Sequence, residues 1–103
     1  MPEAAPGRAG DAVPVALAVV HLPRSLVALF PGCPRRLEAR GGTLAEVIAD
    51  LDRQVPGIAN RVLDAGPVLR RHLNVFVAGE QAGLESRVPA GAAVHVIPAV
   101  SGG

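Results

Sequence analysis

Apolar residues along this chain recur with two different periods, and each period predicts an element. The clearest helical signal runs from Thr43 to Val55, where Leu44, Val47, Ile48, Leu51 and Val55 fall at i, i+3, i+4, i+7 and i+11. That spacing makes one apolar stripe, with Glu46, Asp50, Asp52, Arg53 and Gln54 elsewhere on the wheel. Thr43-Leu44-Ala45-Glu46 has the form of a capping box: the Thr hydroxyl accepts from the amide three residues on, and Glu46 reaches back to the Thr43 amide. Pro56-Gly57 stops the helix.

Before the helix the pattern is that of strands. Val13 to Leu22 is dense in β-branched and apolar residues and predicts a strand covered on both sides, with Pro14 tolerated near its start. Pro23 to Pro34 holds three prolines and a glycine, so it predicts a connection with at most a short turn around Leu26 to Phe30. Arg35 to Arg40 alternates at Leu37 and Ala39, as a half-exposed edge strand paired in a hairpin with the first would. Residues 1–12, without periodicity and rich in Ala, Pro and Gly, predict a disordered leader to a single domain over 13–103.

After the helix, Ile58 to Leu69 is irregular, with a short helical turn at Ile58 to Leu63 broken by Gly66-Pro67. Arg70 to Val77 predicts a central strand, apolar on both faces, followed by a turn at Ala78-Gly79. A brief extended piece at Leu84, a turn at Pro89-Ala90-Gly91 and a last strand from Val94 to Val100 complete the chain. One helix with one apolar stripe and a sheet with one face to cover pack most simply as two layers. Two hairpins flanking a helix, with the first and last strands side by side, describe an α+β fold of the β-grasp, ubiquitin-like kind: a mixed four- or five-stranded sheet on one main helix.

Composition narrows the chemistry. At 103 residues one modest core must hold the domain, and with only Phe30 and Phe76 as aromatics that core is aliphatic. A formal charge of +1 argues against a phosphate-backbone footprint, hence against nucleic acid. All ten basic residues are Arg, so no side-chain amine is available for acylation. The single cysteine, Cys33, permits no internal disulfide and suits a reducing, cytoplasmic compartment. The apolar run Val13 to Val20 lies behind Asp11 and ahead of His21-Leu22-Pro23-Arg24, unlike a secretory signal, and is too short to span a bilayer. His21, His72 and His95 are dispersed and read as strand residues, with no metal spacing; Cys33 reads as a loop thiol. Arg35-Arg36 and Arg70-Arg71 read as solvated pairs, the second at a possible rim of a contact surface. No acid–base or nucleophile constellation is visible, so an enzyme is not expected.

Three stretches carry a resemblance: Thr43-Leu44-Ala45-Glu46-Val47-Ile48, then Leu73-Asn74-Val75-Phe76-Val77 with Gly79-Glu80, then Val94-His95-Val96-Ile97-Pro98-Ala99-Val100-Ser101-Gly102-Gly103. Together they resemble the MoaD/ThiS family of prokaryotic ubiquitin-like sulfur carriers over roughly residues 15–103. Within that family the long segment after the helix and the "PAVSGG" ending are most like the carriers serving cysteine biosynthesis. The resemblance implies that Gly103 is adenylated by a ubiquitin-activating-type enzyme using ATP and converted to a thiocarboxylate. Sulfur then passes to an acceptor enzyme such as a cysteine synthase, with no permanently bound cofactor or metal. Two positions depart from the family pattern: Gly91-Ala92-Ala93 replaces a usually acidic turn, and Ala78 stands where Asn is frequent.

Glycine suits such an end because it lacks Cβ and reaches conformations closed to other residues, so Gly102-Gly103 could thread a narrow channel. Extended, Val100 to Gly103 spans roughly 13 Å at about 3.3 Å per residue. Ile97, Pro98, Ala99, Val100 and Ser101 form the lead-in and candidate partner contact, and the sheet beside them presents outward either His95 and Ile97 or their alternates, a choice the pattern leaves open. Two rivals use the same end: a protein modifier joined to lysines of other proteins, and the small subunit of a molybdopterin-synthase-like complex.

Overall fold

The structure, a computed structural model, describes residues 17–65 and 68–99. The expected leader at 1–12 and the start of the first strand lie outside them. Ten elements follow in order: β1 (Leu17–His21), α1 (Arg24–Val27), β2 (Arg36–Arg40), α2 (Leu44–Gln54), α3 (Ala59–Val62), β3 (Leu63–Asp64), β4 (Val68–Leu69), β5 (Leu73–Val77), β6 (Glu80–Gln81) and β7 (Ala93–Pro98).

The main sheet has five strands in the order β2-β1-β7-β5-β6. β1 pairs with β2 as the expected hairpin, Val20 opposite Leu37 and Ala18 opposite Ala39. β1 and β7 run parallel, with His21 opposite His95. β7 pairs antiparallel with β5, and β5 with the two-residue β6. The first and last strands are therefore neighbours inside a mixed sheet, as expected, and β5 is likewise an interior strand, flanked by β7 and β6. The β5 strand is also shorter than expected, because Arg70, Arg71 and His72 form a turn before it.

Helix α2 begins where its cap demands. The Thr43 hydroxyl accepts from the Glu46 amide at 3.3 Å. The return arm of the box lands one residue earlier than expected: the Glu46 carboxylate accepts from the Gly42 amide at 2.7 Å, not from Thr43. Gly41 is buried so tightly here that an added Cβ would lie 2.6 Å from the Val47 nitrogen and 2.8 Å from Glu46 Cβ. The helix buries Leu44, Val47, Ile48 and Leu51 against Ala18, Val20, Ala39, Val75, Val77, Val94 and Val96 of the sheet, while Ile58 and Val62 close the core from α3. Each fully buried side chain of this size contributes roughly 1.5–3 kcal/mol against the entropy of ordering it.

The helix also caps the open edge of the sheet. Asp50 accepts from the Arg40 amide at 2.9 Å, and Gln54 donates to the Glu38 carbonyl at 2.8 Å. These side chains pair backbone groups that an edge strand would otherwise leave bare. Asp52 accepts from the amides of Gly57 and Ala59 at 3.1 and 3.0 Å, which ties α2 to α3.

Only one face of the sheet is covered, which corrects the expectation of a first strand buried on both sides. In β1, Ala18 and Val20 are buried while Leu17 is 41% exposed and Val19 and His21 are half-buried. Two further differences concern short pieces. Leu63–Asp64 pairs with Val68–Leu69 as a separate two-stranded ribbon that the irregular pattern gave no sign of. Leu84 lies in a turn and half-buries against the core rather than extending. The Ala78-Gly79 turn is present, with φ of 52° and 86° at its two residues. No helix among the described residues is long and apolar enough to cross a membrane.

Candidate functional site

Strand β7 leads to the candidate terminus, and its alternation decides which side chains face outward. Val94 and Val96 are buried in the core, so His95 and Ile97 point to the open face, where Ile97 is 43% exposed. Pro98 stands opposite Leu73 as the last residue of the strand. One more backbone bond follows, from the Ala99 amide to the His72 carbonyl at 2.8 Å. Of the candidate residues, Ile97, Pro98 and Ala99 are thus placed side by side at one end of the sheet. Val100, Ser101, Gly102 and Gly103 lie outside the described residues.

The open face assembles residues from all five strands of the main sheet. The pairings put Arg36, His21, His95, Phe76 and Gln81 in one row across β2, β1, β7, β5 and β6. Val19 and Ala93 flank this row on one side and Ile97 and Asn74 on the other. At its centre the His21 and His95 rings stack, centroids 4.3 Å apart and planes within 8°. Burial, then the neighbouring His95 and the Arg36 guanidinium, lower the His21 pKa, so the stack favours its neutral form. In the sequence the two histidines stand 74 residues apart with nothing to connect them. No signal within either strand could have joined them, because the parallel register between β1 and β7 is set by packing.

The third histidine is not a strand residue; His72 is exposed in the turn before β5. Arg70 is likewise not a freely solvated arginine. Its Nη2 donates to the Asn60 carbonyl at 2.6 Å and its Nε is buried without a partner among the described residues, while Arg71 is exposed. Cys33 is half-buried, its thiol donates to the Pro34 carbonyl at 3.4 Å, and burial pushes its pKa up, the reverse of what an activated thiol needs. Among the described residues, no group of three or more His, Cys, Asp or Glu side chains could hold a metal ion.

This arrangement offers an exposed, mixed apolar and imidazole face beside the root of the terminus. Comparison with known proteins gives it a context. The ThiS family pattern matches residues 28–103. The sulfur carrier protein CysO of Mycobacterium tuberculosis is 35% identical over 78 residues, covering 70% of this chain and 84% of that protein. The solved structure of the BexX/CysO complex of Amycolatopsis orientalis contains a chain with a TM-score of 0.73 at 32% identity, covering 84% of this chain and 99% of that one. SAMP1 from Haloferax volcanii superposes with a TM-score of 0.70 at 27% identity, over 84% of this chain and 99% of its own. These relatives are carriers and ubiquitin-like small proteins rather than catalysts, and their folds agree with the β-grasp expected from the pattern of strands and helix. The chain belongs to the ThiS family.

Proposed function

We propose that this protein is a cytoplasmic sulfur carrier whose Gly103 carboxylate is activated and loaded by partner enzymes. A carboxylate is a poor acyl donor until ATP converts it to an acyl-adenylate. The Gly103 oxygen attacks the α-phosphorus and pyrophosphate departs; a sulfide donor then attacks the acyl carbon and AMP departs, which leaves a thiocarboxylate. The adenylation belongs to a ubiquitin-activating-type enzyme, and the sulfur passes to an acceptor such as a cysteine synthase or another sulfur-inserting enzyme. The domain contributes a handle and an unhindered end.

The observation that carries this reading is the family match, which runs through Gly102-Gly103, with β7 ending at Pro98 just before that tail. The open face around His95 and Ile97 would hold the partner while the terminus enters its cleft, since interface cores favour such partly apolar patches over charged ones. Glycine at both final positions keeps the acyl carbon free of side-chain bulk.

Intact-mass measurement after incubation with a cognate activating enzyme, ATP and a sulfur donor should show one oxygen exchanged for one sulfur, located on the last residue. No exchange with a demonstrably active enzyme rejects the reading. The likeness to the small archaeal modifier protein SAMP1 keeps one rival in view. A modifier would instead yield adducts on lysines of other proteins, and this chain, having none of its own, could not form side-chain-linked polymers.

A further inference from the structure

Because β1 and β7 run parallel, the segment after β1 and the end of β7 emerge at the same end of the sheet, where β5 begins. Two adjoining clefts of about 250 and 370 Å³ open there and share Leu29, Arg61 and Arg70. Ser25, Leu26, His72 and Leu73 complete the wall of the first. Leu29 is 51% exposed on the wall it shares with the two arginines. Among the described residues, neither cleft has an Asp or Glu in its lining, although the chain as a whole is nearly charge-balanced. The nearby Asp52 is turned onto the amides of Gly57 and Ala59 and is spent there.

The Ala99 amide bonds to the carbonyl of His72, a residue of this wall, so the tail leaves from the groove's own margin. Four further residues reach roughly 13 Å at most. Any enzyme that holds the Gly103 carboxylate in its nucleotide site must therefore stand against this end of the molecule. We infer that the groove receives an acidic segment of the activating enzyme, a carboxylate set on Arg61 and Arg70 with an apolar neighbour on Leu29. Arg70 is prepared for this: the Asn60 carbonyl accepts from its Nη2 at 2.6 Å and holds its guanidinium in place on the wall of both clefts. An arginine already ordered loses less freedom on pairing with a carboxylate. The inference rests on the carrier reading above and adds to it the chemistry of the partner's docking segment.

The test is ATP–pyrophosphate exchange by the cognate activating enzyme, with the intact carrier as the varied substrate. Arg61→Glu and Arg70→Glu should each raise KM for the carrier roughly tenfold while kcat stays near wild type, the pattern of a lost charged contact at a docking rim. Leu29→Ala should raise KM less, and added salt should weaken wild type more steeply than Arg61→Glu. Arg61 is exposed, so its variant keeps the question open to test even if Arg70→Glu disturbs α3; thermal melts report the fold. Arg53→Glu, on the exposed side of α2, should keep the wild-type KM. If wild type is adenylated and both groove variants match it, or if Arg53→Glu weakens binding equally, the groove is not the docking site. If the active enzyme does not adenylate wild type at all, the carrier reading itself fails.

Discussion

The rings of His21 and His95, carried by parallel neighbouring strands, lie face to face 4.3 Å apart on the open side of the sheet. The fold favours neutral His21, because burial, the His95 ring and Arg36 all oppose a charge there. A depressed imidazole pKa contributes stability that is complete above the unfolded value of about 6.5 and is lost as pH falls through the lower folded value. Melting temperature should therefore drop between about pH 7 and pH 5. His21→Gln should flatten that slope, and parallel slopes for the two proteins would clear the pair of responsibility.

Ala78 sits at φ 52° ahead of Gly79 at φ 86°, so both residues of the β5–β6 turn occupy left-handed backbone. A two-residue hairpin of this geometry favours Asn-Gly, because alanine has no side-chain hydrogen bond to offset the crowding of its Cβ. Ala78→Asn should stabilise the protein by about 0.5–1 kcal/mol in urea titration. A neutral or destabilising result would mean that the turn relaxes elsewhere.

Asp50 joins α2 to the edge strand β2, accepting from the Arg40 amide and from Arg53. The Arg40 hydrogen bond and then Arg53 hold its carboxyl below the ordinary carboxylate value. Stability from this group is present above the unfolded pKa of about 3.9 and disappears as pH falls through the folded one. Asp50→Ala should cost about 1–2 kcal/mol at neutral pH, and the gap to wild type should narrow in acid. A gap that persists unchanged to the lowest pH would point to lost packing instead.

Gly41 meets the first turn of α2 so closely that a methyl group would press on the Val47 nitrogen. Backbone cannot yield as a flexible side chain does, so Gly41→Ala should cost about 1–3 kcal/mol and lower the urea midpoint. Gly83, with open space around its would-be Cβ, provides the control, and Gly83→Ala should change little.

Ile97 is large, apolar and 43% exposed beside His95, on the strand that leads into the tail. Ile97→Asp should leave the melting temperature nearly unchanged and weaken binding to the activating enzyme roughly tenfold, as loss of an apolar contact in an interface core does. Calorimetric titration would show it. Undiminished binding would move the docking surface off this face.

Much of this architecture is written locally. The stripe Leu44, Val47, Ile48, Leu51 with Thr43 before it and Pro56-Gly57 behind it specifies α2, because a 3.6-residue period and a capping hydroxyl act within one element. Alternation at Leu37 and Ala39 specifies β2 as the partner of β1, and the hairpin forms over Arg36–Arg40, one residue shorter than the pattern predicts, with a register that packing set. The ribbon of Leu63–Asp64 and Val68–Leu69 was illegible because two residues are too few to show a period. Residues 100–103 bear the proposed chemistry and lie outside the described structure, so the case for them comes from sequence and family alone.

What tertiary structure alone decided is how distant residues meet. The outward turn of His95 and Ile97, the stacking of His21 on His95, the holding of Arg70 by Asn60 and the cleft shared with Leu29 all depend on packing between segments far apart in the chain. Local sterics and hydrophobic period act over a few residues and are readable in one dimension. Register and juxtaposition arise only when the two layers close on a common core, and no short window of sequence contains them.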